Sequence, residues 1–265
     1  MGEDTFDFMG RTATYGLWHI LFLVACVAMI TIPLIFLRKG KHTKIVLYVC
    51  MALAVLYTIL CVFLYIRPHP TPLLPGMEGK PVDDSWTIDP AELPLHLCNI
   101  QVFTIILIVV LKKESTKQNI VAFFIPTSIA GAALALFIPT TPTQYGWDNF
   151  RAFQYIVYHA MLIFLGIYLY MTYFKKLNLK NVLFSFVSLL VLSVFSIYLN
   201  SIIGHGANYF FTARPPMPNM PFLTLKYGWG IYSLALFSLV CVLIPAVFSP
   251  VIIREVKRIV RSKKG

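Results

Sequence analysis

The chain predicts an all-α polytopic membrane protein with seven transmembrane helices, and three observations carry that expectation. Hydrophobic residues make up 58% of the 265 positions, charged residues only 12%, and the mean hydropathy is +0.75. Such a composition lies outside the range of soluble domains. Seven apolar stretches each approach the ~20 residues that cross a hydrocarbon core of ~30 Å. Finally, lysines and arginines gather at 38–44, 112–117, 175–180 and 254–264, which are alternate connections between those stretches. Basic residues in short loops stay cytoplasmic, so the N-terminus is expected outside and the C-terminus inside. Acidic residues at 3–7, 78–92 and 148 fall on the other side, as this topology requires.

The spans are read at 15–37, 45–66, 92–111, 119–138, 152–174, 181–202 and 226–248, as a single helical domain followed by a basic cytoplasmic tail over 249–265. The first lacks a small-residue cleavage site after its apolar core and is expected to remain as a helix. After the second comes a segment, 67–91, with Pro68, Pro70, Pro72, Pro75, Pro81 and Pro90. Prolines at that density exclude a regular helix and favour a stiff extended cover or a linker. The third span opens with Leu-Pro-Leu-His-Leu-Cys-Asn at 93–99. In the fourth, Gly131, Ala132, Ala133 and Ala135 permit close helix packing. The fifth is rich in aromatic residues and holds His159 one turn after Tyr155. The sixth lines up Ser185, Ser193, Ser196 and Asn200 near one face, as a packing stripe or a solute path. Between the sixth and seventh, 203–225 carries Gly-His-Gly-Ala-Asn-Tyr and Arg-Pro-Pro-Met-Pro, again a lid or a linker.

The net charge of +11 does not point to nucleic acid, because the basic residues sit in juxtamembrane clusters that topology and anionic headgroups explain. Five cysteines, at 26, 50, 61, 98 and 241, have no metal-type spacing, so neither a metal site nor a cofactor is expected, and a disulfide framework is not either. Four of them lie in purely apolar runs. Cys98 alone has polar company, and an ionisable group at membrane depth costs roughly 3 kcal/mol unless something uses or satisfies it.

A rise of ~1.5 Å per residue puts Cys98 ~21 Å above Lys112 and His159 ~24 Å above Lys175, with His96 at ~24 Å, His19 at ~28 Å and Asn200 at ~30 Å above their own basic anchors. Their agreement in height supports one shared site in the outer third of the membrane. On a regular helix His96 and Cys98 point ~200° apart, so the partner of Cys98 must come from another helix, and His159 matches it in depth. Gln101 shares the face of Cys98, and Asn99 that of His96.

A thiol is little ionised at neutral pH, and an imidazole within hydrogen-bond reach can take its proton and later return it to a leaving group. That pairing suits a covalent acyl-enzyme. Asn99, Asn200, Asn208 or free amides at a helix start could hold the developing oxyanion. A second reading is a small-solute transporter or channel whose pocket contains His19, His96 and His159, although no carboxylate lies deep in any span to couple an ion. A third is a scaffold whose polar residues only join helices.

The string Leu93-Pro94-Leu95-His96-Leu97-Cys98, His159 in its aromatic helix, Asn200, Asn208-Tyr209 and Arg214-Pro215 resemble the YwaF-type integral membrane family, whose animal branch is transmembrane protein 164. The similarity covers about 15–250. The resemblance implies a cysteine-dependent phospholipid acyltransferase, as the animal branch is described, with a more distant likeness to androgen-induced-gene lipid hydrolases that use Thr and His. Carried across, Cys98 becomes the acyl-carrying nucleophile and His159 its general base, with His96, Asn99, Gln101, Asn200, Asn208 and Tyr209 as supporting or substrate-binding residues. Membrane lipids and an acyl donor lipid would be the partners, in the outer leaflet. The absence of any Asn-x-Ser/Thr sequon fits a bacterial plasma membrane.

Overall fold

A computed structural model describes residues 15–37, 42–65, 93–139, 146–147, 150–203, 207–216 and 223–262. Among them the fold is all-helical: α1 Leu17–Leu37, α2 Thr43–Tyr65, α3 Leu97–Val110, α4 Glu114–Phe137, α5 Phe150–Tyr173, α6 Leu179–Ile203 and α7 Trp229–Ser262. Six of the seven are long and apolar enough to cross a membrane; α3, with 14 residues, is shorter. The third apolar stretch therefore does not form the helix of 92–111 that its hydropathy predicts. Residues 93–96 enter in a non-helical form, with Leu95 N–H donating to Leu93 O at 2.7 Å and His96 extended at φ −67°, ψ 150°. Pro94 is the local reason, since it disfavours helical geometry in the residue before it and offers no N–H of its own. At the other end of the chain, α7 runs on to Ser262, so most of the stretch read as a tail continues the last helix. The proline-rich stretch 67–91 lies outside the described residues.

Helix α5 is the centre of the bundle. Neighbours cover it around nearly its whole circumference, with Ile156, Tyr158, Leu162, Leu165, Tyr168 and Leu169 all buried. It packs on α4, α1 and α2. The approach to α4 is closest at Gly166, where a Cβ would fall 2.4 Å from Ser128 Oγ and 2.8 Å from Ile129 Cγ1. Only glycine fits there. In contrast, α1, α6 and much of α7 present Val, Leu, Ile and Phe outward, the surface expected of helices that face hydrocarbon.

The two ends of the bundle differ in chemistry. At one, Lys176 pairs with Glu114 at 2.7 Å, Asn181 Nδ2 donates to Asn119 Oδ1 at 2.7 Å, Thr43 and Tyr168 hydroxyls meet at 3.1 Å, and Arg254 donates to the carbonyls of Phe174 and Leu177. The basic clusters after α3, after α5 and at the end of α7 thus share one end. His19, His96, Cys98, His159 and Asn200 belong to the opposite half.

Candidate active site at the start of α3

His96 is the N-cap of α3, and its side chain makes no capping hydrogen bond. Leu97, Cys98 and Asn99 are therefore the first three helical residues, whose N–H groups have no carbonyl one turn earlier within the helix to receive them. Cys98 is thus set where backbone donors and the positive end of the helix dipole converge. The ~200° separation of His96 and Cys98 holds only on a regular helix. Because His96 lies outside α3, that rotation does not describe it.

Cys98 is half-buried and packs against the main core. Its own carbonyl accepts a hydrogen bond from Tyr158 Oη at 2.8 Å. Tyr158 stacks on Tyr57 of α2, with ring centroids 3.8 Å apart and planes 5° from parallel, so the phenol has little freedom. Gln154 adds a second tie between α5 and α2, donating to Tyr57 O at 3.2 Å. The residue after Tyr158 is His159, only 1% exposed, whose ring meets Tyr158 edge-on at 5.6 Å and Tyr155 at 4.1 Å. His159 Nδ1 lies 2.7 Å from Tyr155 O. A carbonyl can only accept, so Nδ1 carries the proton and the neutral imidazole keeps its lone pair on Nε2.

Gln101, fully buried one turn after Cys98, donates through Nε2 to Thr127 Oγ1 at 3.1 Å and to Leu97 O at 3.3 Å. This ties α3 to α4. Its Oε1 has no hydrogen-bond partner among the described residues. Asn99 is half-buried at the helix start.

The remaining candidates build a roof. Asn200, on α6, pairs with the backbone of Tyr209 in both directions, its Oδ1 accepting from Tyr209 N–H at 2.8 Å and its Nδ2 donating to Tyr209 O at 3.1 Å. The same Nδ2 reaches Thr212 Oγ1 at 2.9 Å, and Ser196 Oγ lies 3.0 Å from that hydroxyl. From α7, Trp229 Nε1 donates to Thr212 O at 2.9 Å and the Tyr232 hydroxyl donates to Phe211 O. Asn208 closes the segment on itself, bonding the N–H and the C=O of Arg214 at 3.0 and 2.9 Å. These anchors hold Phe210 and Phe211 at φ 57° and 56°, left-handed values that cost non-glycine residues about 1–3 kcal/mol each. Tyr209 is fully buried, and its ring meets that of His96 edge-on at 5.3 Å. The roof is thereby joined to the start of α3.

His19 does not join this group. Its Nε2 lies 2.8 Å from Leu136 O and its Nδ1 accepts from Tyr15 N–H at 3.0 Å, while Trp147 stacks on the ring at 4.7 Å. Both nitrogens are occupied, Nε2 in holding α1 to the end of α4 and Nδ1 in capping the backbone just before α1. Of the other cysteines, Cys26 and Cys50 are 2% and 3% exposed in apolar surroundings, Cys241 is half-buried, and the Cys61 side chain lies outside the described residues.

A model of the TMEM164 family matches residues 8–248, which takes in Cys98, Tyr158, His159, Asn200 and Tyr209. The chain belongs to the TMEM164 family. No curated protein and no solved structure matches it. The family match ends at Phe248, within α7, leaving Ser249–Ser262 of that helix outside it.

Nothing in the sequence singles out Tyr158, Thr127 or Thr212. Tyr158 is one of several aromatics in α5, and its spacing does not foretell a hydroxyl that reaches a carbonyl on another helix.

Proposed function

We propose that this TMEM164-family membrane protein is a thiol-dependent lipid acyltransferase or hydrolase, with Cys98 as nucleophile and His159 as general base. The observation that carries the reading is the Tyr158 hydrogen bond to Cys98 O, which joins the helix of the nucleophile to the helix of the base one residue from His159. The tautomer supports the same roles: with Nδ1 donating to Tyr155 O, Nε2 is the atom left to accept the thiol proton.

In the proposed reaction the Cys98 thiol gives its proton to His159 Nε2 as sulfur bonds to the ester carbonyl carbon. The oxyanion then forms beside the first amides of α3, which act as donors in a water-poor setting. Collapse breaks the carbon–oxygen bond, and the imidazolium returns the proton to the leaving alkoxide. The thioester is consumed by a lipid hydroxyl or by water, whose proton passes to His159 and then to the departing thiolate. Asn200 and Asn208, with their polar atoms spent on the 207–216 segment, serve this scheme by shaping the roof, and the oxyanion role falls to the α3 amides and the Asn99 side chain at the helix start.

We place the basic end of the bundle in the cytoplasm, on the positive-inside rule, which puts the Cys98 end in the outer half of a plasma membrane. The solute-pocket reading loses one of its three histidines, because both His19 nitrogens are occupied. The test is labelling of the reconstituted protein with an acyl-type thiol probe. Strong labelling of wild type, lost in Cys98→Ala and much reduced in His159→Ala, is the expected result; equal labelling of all three overturns the proposal.

A further inference from the structure

Helix α7 is longer than a membrane requires. Its 34 residues extend ~51 Å at ~1.5 Å each, against a hydrocarbon core of ~30 Å. The point at which it leaves the bundle is marked by Arg254, whose guanidinium donates to the carbonyls of Phe174 and Leu177 at the end of α5 and lies 5.0 Å from the Phe174 ring centroid. Two further turns of helix follow.

Those turns are not the polar stub that water would favour. Ile253, Val256, Ile259 and Val260 are 53%, 48%, 45% and 48% exposed. At ~100° per residue, Ile253, Val256 and Val260 fall in the same arc of ~60° as Ile231 and Val242, which are 56% and 65% exposed higher on the same helix. The stripe that faces hydrocarbon thus runs on past the end of the bundle. Lys257, Arg258 and Arg261, all exposed, occupy a separate arc beside it, and Glu255 is the one acidic residue of that stretch, 3.0 Å from Arg254 and 3.9 Å from Arg258.

We propose that the last two turns of α7 form an interfacial anchor for anionic lipid. The aliphatic arc stays at the acyl–headgroup boundary, and Lys257, Arg258 and Arg261 bind headgroup phosphates of the adjoining leaflet. Two features select this occupant over a protein partner: the apolar stripe is continuous with the lipid-facing surface of α7, and the charge beside it is complementary to phosphate. The anchor is independent of any chemistry at Cys98.

The full-length protein is placed in nanodiscs of phosphatidylcholine alone or mixed with phosphatidylglycerol, and amide hydrogen exchange is followed over 255–262. Exchange is expected to slow about tenfold with phosphatidylglycerol at low salt, and to lose that gain at high salt, where exposed charges are screened. Lys257→Gln/Arg258→Gln/Arg261→Gln should exchange at the same rate in both lipids while keeping wild-type melting. Equal exchange of the wild type in the two lipids overturns the proposal, as does a phosphatidylglycerol effect that survives in the triple variant. Should the triple variant melt early, the single Arg261→Gln change, two turns beyond the Arg254 contact, is read instead, with a partial loss of the lipid effect expected and no loss contradicting the anchor.

Discussion

The hydroxyl of Tyr158 donates to the carbonyl of Cys98 across 2.8 Å, and the next residue along α5 is His159. One hydrogen bond therefore fixes the start of α3 against the helix that carries the imidazole. A neutral hydrogen bond of this kind contributes about 1 kcal/mol net, small against the stability of the bundle and large for the geometry of a proton transfer. Tyr158→Phe keeps the stack on Tyr57 and removes only the hydroxyl. It should slow probe labelling of Cys98 roughly 3- to 10-fold with little change in melting temperature, which a labelling time course beside a thermal scan will check.

Asn200 substitutes for a strand partner by bonding both the N–H and the C=O of Tyr209. Leucine at 200 takes the acceptor from the buried Tyr209 N–H, at about 1–3 kcal/mol, while Tyr209 O keeps the Thr212 N–H at 3.2 Å and the Thr212 hydroxyl at 3.1 Å. We expect Asn200→Leu to release the 207–216 segment, seen as faster hydrogen exchange at 209–213, with α4 and α5 protected as before. Unchanged exchange would mean that Trp229 and Tyr232 suffice to hold the roof.

His19 and His159 are both buried, yet only His159 has a ring nitrogen assigned to chemistry. His19→Phe should lower stability, since it removes the ties to Leu136 and Tyr15, and should leave the labelling rate per folded molecule unchanged. His159→Ala, which also loses stability through the cavity it leaves, should cut the labelling rate per folded molecule. Measuring labelling and melting on both variants separates a structural histidine from a catalytic one.

At Gly166 the α4–α5 contact leaves no room for a methyl group. Gly166→Ala is expected to destabilise by about 1–3 kcal/mol through overpacking. Adding Ser128→Gly, which removes the nearer clash, should recover part of that loss in the same melting assay.

Much of this architecture is legible in the chain because hydropathy and charge are additive along a helix. Six long apolar helices form along the chain, the last continuing past the predicted 226–248 to Ser262, and the basic residues that follow α3, follow α5 and end α7 meet at one end of the bundle. Hydropathy overestimates the third helix because Leu93 and Leu95 are apolar whether or not they are helical, and Pro94 decides against helix locally. That Cys98, His159 and Asn200 gather in one half of the bundle follows from counting residues to a basic anchor. What each polar side chain faces does not, since rotation and partner identity depend on tertiary contact: Asn200 turns to a loop backbone, His19 to a helix end, and the decisive hydroxyl comes from Tyr158.

Every role proposed for the site depends on a covalent thioester at Cys98. Reconstituted wild-type protein should be incubated with a phospholipid carrying a labelled acyl chain, quenched in acid, and the Cys98 peptide weighed by mass spectrometry. An acyl mass is expected on that peptide, removed by neutral hydroxylamine and absent in His159→Ala. An unmodified Cys98 in protein that nevertheless turns over lipid would contradict it.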